Sequence, residues 1–177
     1  MKDMDSLLAQ VLAFRPNRLV PPFDLQGHIP FVAWLVKELQ PATFVQLGTQ
    51  SGNLYFAACQ TVAENSLPTR CWAVGTWQAE ELAQRHSVQQ EAGASDYNRQ
   101  HFGAFSGLLR MGDAQALPRF APGSIDLLLI DGRYSPETVR NEYESWRDRL
   151  SDHAVVLLVG IEQADSGAAA LWQQLQP

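Results

Sequence analysis

Apolar residues are arranged in two different ways along this 177-residue chain. Over residues 1–40 they recur at helical spacing. Asp5 and Ser6 offer caps for a helix from Leu7 to Phe14, which must stop before Pro16 because the residue ahead of a proline is pushed out of the helical region. A proline-rich connector, Pro16 to Pro22, leads to a second helix from about Pro30 to Leu39, where Phe31, Trp34, Leu35 and Leu39 recur at helical spacing. Pro41 ends it.

Beyond Pro41 short, continuously apolar runs take over. Thr43 to Leu47, Arg70 to Val74, Leu108 to Met111, Ile125 to Ile130 and Ala154 to Val159 read as strands, the third having the weakest pattern. Helix-compatible stretches alternate with them. These are Leu54 to Cys59, a polar stretch from Gln78 to about Phe105 interrupted by Gly93 and Gly103, Ala114 to Phe120, Pro136 to Leu150, and Ala168 to Leu175. Ser135 and Pro136 suit the N-cap and first position of the Pro136 helix. Strands that are apolar throughout, rather than alternating, belong to a parallel sheet covered on both faces. The pattern predicts an α/β chain of the doubly wound, Rossmann-like kind, with a mainly parallel sheet and helices on both faces. It reads as one domain over 1–177, a helical segment (1–40) followed by the core (41–177), with no repeat, linker or low-complexity tract.

Composition agrees. With 46% hydrophobic and 18% charged residues the chain is of ordinary globular type. Its net charge is -6 and its basic residues are scattered, so it carries no footprint for nucleic acid or an anionic membrane. The one basic cluster, Arg140, Arg147 and Arg149, is interleaved with Glu142, Glu144 and Asp148, as on a solvated helix face. No apolar run approaches the roughly 18 residues that a membrane span needs. The acidic start, Met1 to Asp5, is unlike a signal peptide, and the expected compartment is the cytoplasm. Cys59 and Cys71 lie in apolar surroundings and read as buried small hydrophobes.

In open parallel sheets ligands bind beyond the carboxyl ends of the strands. The residues just past each strand are therefore the candidates: the loop Gly48-Thr49-Gln50-Ser51-Gly52, then Gly75-Thr76-Trp77, Gly112-Asp113, Asp131-Gly132 and Gly160. Gly48 and Gly52 allow backbone to approach a ligand, and a helix starting near Asn53 directs free N–H groups at it; the same glycines also suit a plain tight turn. Asp113 is either an acceptor for an adenine amino group or the N-cap of the Ala114 helix. Asp131, at the end of the most apolar strand, fits a metal ligand, a general base or a capping residue. Tyr134 is a substrate contact or a rim aromatic, and Trp77 either stacks on a base or packs beneath the sheet.

From Phe44 to Trp172 the chain resembles the class I S-adenosylmethionine-dependent methyltransferases. It looks most like a bacterial branch found beside glycosyltransferases in cell-surface carbohydrate pathways. The resemblance rests on Phe44-Val45-Gln46-Leu47-Gly48-Thr49-Gln50-Ser51-Gly52, Val74-Gly75-Thr76-Trp77, Leu108-Leu109-Arg110-Met111, and Gly123 to Gly132, in that order. It implies that S-adenosylmethionine is the cofactor. Gln46, Gly48, Thr49, Ser51, Gly52, Gly75, Thr76 and Trp77 would surround its methionine and ribose, Asp113 would meet the adenine, and Asp131 with Tyr134 would face the acceptor.

Two positions depart from the family pattern. Gln46 stands where an acid usually precedes the first glycine, and Gly75 where an acid usually holds the ribose hydroxyls. Losing charge-assisted bonds to both hydroxyls costs on the order of 1.5–3 kcal/mol each. The family's His residues near Tyr134 and after the last core strand are also replaced, so no metal set is expected; Glu162 is the nearest substitute. The chain stops at Pro177, where such folds usually add a closing hairpin of two strands, so it is expected to be either one piece of a larger protein or a trimmed fold. An unpaired last strand would be an edge that a second copy or a partner protein could cover. The resemblance implies a methyltransferase acting on a small or carbohydrate-linked acceptor. The alternative is a catalytically silent relative serving as an assembly or regulatory module. A nicotinamide dehydrogenase is disfavoured, because Thr49-Gln50-Ser51-Gly52 lacks the three-glycine spacing.

Overall fold

The five apolar runs form five strands because each one can bury both of its faces. In the computed structural model, residues 4–23, 25–49, 51–75, 87–131, 135–161 and 166–176 are described. In chain order the elements are α1 (Met4–Ala13), α2 (Ile29–Leu39), β1 (Thr43–Leu47), α3 (Asn53–Glu64), β2 (Arg70–Gly75), α4 (Ser87–His101), β3 (Ser106–Arg110), α5 (Asp113–Ala116), β4 (Ile125–Asp131), α6 (Pro136–Trp146), β5 (Leu150–Val159) and α7 (Gly167–Leu175). The strands make one sheet in the order β3-β2-β1-β4-β5, every neighbouring pair parallel. This is the doubly wound, Rossmann-like architecture that the sequence predicts.

Successive strand residues point to opposite faces, and each face has its own core. On one side Phe44, Cys71, Ala73, Leu127 and Leu129 pack with Ile29, Val32 and Val36 of α2, Leu54, Phe56 and Val62 of α3, and Phe102. On the other, Val45, Leu47, Val74, Leu128 and Ile130 pack with Ala116, Val139, Trp146 and Leu171. Each such side chain, fully buried, is worth about 1.5–3 kcal/mol relative to exposure. Cys59 and Cys71 are both buried and free.

Several boundaries differ from the sequence reading. α1 begins at Met4, so Asp5 and Ser6 lie within its first turn instead of capping it. Gln40, at a left-handed φ of 46°, ends α2 one residue before Pro41. α4 runs through Gly93 without a break, because a single glycine costs a helix only about 1 kcal/mol. α6 ends at Trp146 and a short 3-10 turn, Arg147–Arg149, follows, after which Leu150 already starts β5. The Ser135 cap is as expected: its Oγ accepts from the Thr138 N–H at 3.2 Å.

β5 starts early because its first residues wrap around Asp126. Ile125 pairs with Leu150 and Leu127 with Val155, so residues 151–154 bulge opposite Asp126 alone. Asp126 Oδ1 accepts from Ser151 Oγ at 2.8 Å and lies 3.1 Å from His153 Nε2, while Oδ2 accepts from the Thr43 N–H at 3.0 Å. One carboxylate thus ties together the amino ends of β1, β4 and β5. Burial pushes this carboxyl up, but the Ser151, Thr43 and Ala42 bonds and the nearby imidazole together hold it below its usual range. At the far edge of the sheet, among the described residues, no strand pairs with the outer side of β5. No described helix is long and apolar enough to cross a membrane.

Candidate functional site

β1 is the strand from which the winding departs in both directions, toward β2 and β3 on one side and β4 and β5 on the other. Loops leave its carboxyl end and that of β4 toward opposite faces, which opens a crevice there. The glycine loop lies at this point. Gly48 has a φ of 71° and Gly52 a φ of 76°, conformations that L side chains rarely adopt. The Gly48 N–H donates to the Val74 carbonyl at 3.2 Å, and buried Thr49 Oγ1 donates to the same carbonyl at 3.4 Å. The Gly52 N–H donates to the Thr49 carbonyl at 2.8 Å, closing the turn. A Cβ at Gly52 would stand 2.8 Å from the Phe56 ring, so only glycine fits.

Gly52 is also the N-cap of α3 and has no side chain to cap it, while Ser51 Oγ accepts from the Asn53 N–H at 3.4 Å. The first-turn N–H groups have no acceptor within the helix and carry the positive end of its dipole. Gln46, two residues before Gly48, is only 3% exposed, and its Oε1 is buried with no hydrogen-bond partner among the described residues. A buried acceptor left without a donor costs about 1–3 kcal/mol.

A second set of contacts, absent from any local sequence pattern, fastens the N-terminal connector along α3. Asn53 Nδ2 donates to the Val20 carbonyl at 2.7 Å and its Oδ1 accepts from the Val20 N–H at 3.1 Å. Gln60 Oε1 accepts from the Asn17 N–H at 2.8 Å, and its Nε2 donates to the Arg15 carbonyl at 3.0 Å. Arg18 Nη1 donates to the Ser51 carbonyl of the glycine loop at 2.7 Å. The available signal was the presence of Asn53 and Gln60, buried polar residues, in a helix otherwise lined by apolar ones.

The other candidates divide. Gly75 ends β2 beside the loop, where the nearest atom to an added Cβ is the Thr49 N at 3.8 Å, an ordinary contact. Asp113 does not cap α5; Gly112 holds that position and Asp113 is the first helical residue. Burial pushes the Asp113 carboxyl above its usual range, opposed by a hydrogen bond with Glu142 of α6. Asp131 is the last residue of β4, opposite Val159 of β5. Gln50, Thr76, Trp77, Tyr134 and Glu162 lie outside the described residues. Among the described residues no group of three His, Cys, Asp or Glu side chains is placed to hold a metal ion.

A parallel 3-2-1-4-5 sheet with a glycine turn at its switch point belongs to many nucleotide-binding chains, and comparison narrows the choice. Residues 45–158 match the family model described as a methyltransferase domain. The chain belongs to that family. The methyltransferase domain is 37% identical over 169 residues to the uncharacterized protein y4gI of Sinorhizobium fredii (strain NBRC 101917 / NGR234). That alignment takes in 96% of this chain but only 18% of the relative's length. Among solved structures, SAH-bound methyltransferase PaMTH1 of Podospora anserina superposes with a TM-score of 0.60 at 14% identity, over 90% of this chain and 64% of that one. The O-methyltransferase TomG of Streptomyces achromogenes, in complex with SAM, gives 0.57 at 16% identity, over 98% and 76% of the two chains. At these identities the structural likeness concerns the fold.

Proposed function

We propose that this methyltransferase domain binds S-adenosylmethionine at the carboxyl ends of β1, β2 and β3 and methylates a small or carbohydrate-linked acceptor. The observation that carries the reading is the orphaned Gln46 Oε1. A buried acceptor that the described residues leave unpaired, beside a glycine turn and a helix N-terminus, is costly, and a donor-bearing ligand relieves that cost. The ammonium and ribose hydroxyls of S-adenosylmethionine are such donors. Gly48, Thr49, Ser51 and Gly52 would line its methionine and ribose, with Thr76 and Trp77 beyond Gly75, and Asp113 at the adenine. Asp131 and Tyr134 would stand toward the acceptor.

When bound, the cofactor supplies a methyl group on a sulfonium centre that is already reactive. The chain's own task is to align it with the acceptor and exclude water, which is where most of the rate arises in such transfers. The family match, the switch-point loop and the two left-handed glycines support this reading. Gly75 gives the ribose no acidic grip, so the expected affinity is weak, in about the high-micromolar range or above. Isothermal titration with S-adenosylmethionine and S-adenosylhomocysteine tests it. Saturable heat with a matching rise in melting temperature is expected, and neither effect at millimolar ligand would end the proposal.

A further inference from the structure

We propose that Arg18 is a specificity-determining residue of this site, a clamp for the α-carboxylate of the bound S-adenosyl amino acid. The assignment rests on the cofactor reading above. Arg18 lies in the connector between α1 and α2 and reaches the glycine loop across 33 residues of sequence, where its Nη1 donates to the Ser51 carbonyl at 2.7 Å. Its guanidinium carbon is 4.9 Å from the centre of the Phe56 ring and 5.7 Å from that of Tyr97. It lies directly beside the turn: a Cβ at Gly52 would be 3.7 Å from Nη1, an ordinary contact.

The guanidinium is half-buried, and among the described residues no carboxylate pairs with it, although the chain holds 19 acids against 13 basic residues. Burial also disfavours its charged form. A purely structural bracket would need the aliphatic stem, the ring contacts and one bond to Ser51. It would not need a cation, whose desolvation is expensive without a counter-charge. The planar fork of N–H donors suits bidentate binding of a carboxylate or a phosphate. The N-terminal end of α3 begins beside it and favours negative charge at the same place. S-adenosylmethionine carries one negative group, the carboxylate of its amino-acid end. An anchor at that end also answers the absence of an acid at Gly75, because the hold on the ligand moves from the ribose to the amino acid.

The test compares S-adenosylmethionine with its decarboxylated analogue, which differs only by the carboxylate, in titrations of the full chain. The unsubstituted protein is expected to bind the parent at least about tenfold more tightly. Arg18→Gln should weaken the parent about ten- to hundredfold and leave the analogue within about twofold, erasing the discrimination. Arg18→Lys, which keeps the charge but not the fork, should retain part of it. Equal losses for both ligands in the two variants, or no loss for either, would overturn the clamp and leave the cofactor reading standing. If the unsubstituted protein binds neither ligand, both fall.

Discussion

At the amino end of the sheet Asp126 is bonded from two strands and a neighbouring imidazole, and every one of those partners belongs to the chain itself. At the carboxyl end Gln46 is buried, just ahead of the turn from Gly48 to Gly52, with no partner for its Oε1 among the described residues. Both residues sit on central strands, and both are polar groups in an apolar sheet. The difference is that Asp126 finds its partners within the chain, whereas Gln46 Oε1 has none among the described residues.

The comparison breaks most visibly at Asp126. Asp126→Ala removes the shared acceptor of Ser151 and Thr43 and should cost about 2 kcal/mol at neutral pH, read by urea unfolding. Because the folded carboxyl titrates below its usual range, its contribution is present above the ordinary Asp range and lost as pH falls through the folded value. The two unfolding curves should therefore converge below about pH 4. A gap that persists into acid would assign the effect to packing instead of charge.

At the other end the sign should reverse. Gln46→Met keeps the volume but removes the orphaned acceptor, and should raise the stability of the ligand-free protein by about 1 kcal/mol. The same change should weaken S-adenosylmethionine binding in a titration. A variant that is both less stable and unaltered in binding would place Gln46 among ordinary core residues.

The smallest structural effect is expected at Gly75. An added Cβ meets only the Thr49 N, at 3.8 Å, so Gly75→Asp should change stability by no more than about 0.5 kcal/mol. It supplies the acid that the family usually carries there, and cofactor affinity should rise about tenfold. No gain would mean that the ribose does not lie beside this position.

Much of the frame was legible in the chain. β1 and α7 fall within a residue of their expected ends, because a continuous apolar run or a helical repeat is a local signal. The start of β5 was missed because Asp152 and His153 break the apolar run, and only the carboxylate of Asp126, 25 residues earlier than Ser151, draws that stretch into the sheet. The glycine loop was visible for the same local reason as β1. Arg18 was not: its meaning depends on Ser51, Phe56 and Tyr97, which no periodicity connects to it. Asp113 was legible as a residue at a strand end but not as the partner of Glu142, for the same cause.

The connector has one more consequence. Residues 15–22 are held to α3 by the amide side chains of Asn53 and Gln60 and by the guanidinium of Arg18, not by pairing into any strand or helix. Such a segment can detach while every element of secondary structure survives, which puts it at the low-energy end of local openings and well below global unfolding. The Asn17 and Val20 amides, each locked on a side-chain oxygen, are then natural hydrogen-exchange reporters, and their rates register how firmly the strap over the glycine loop is fastened.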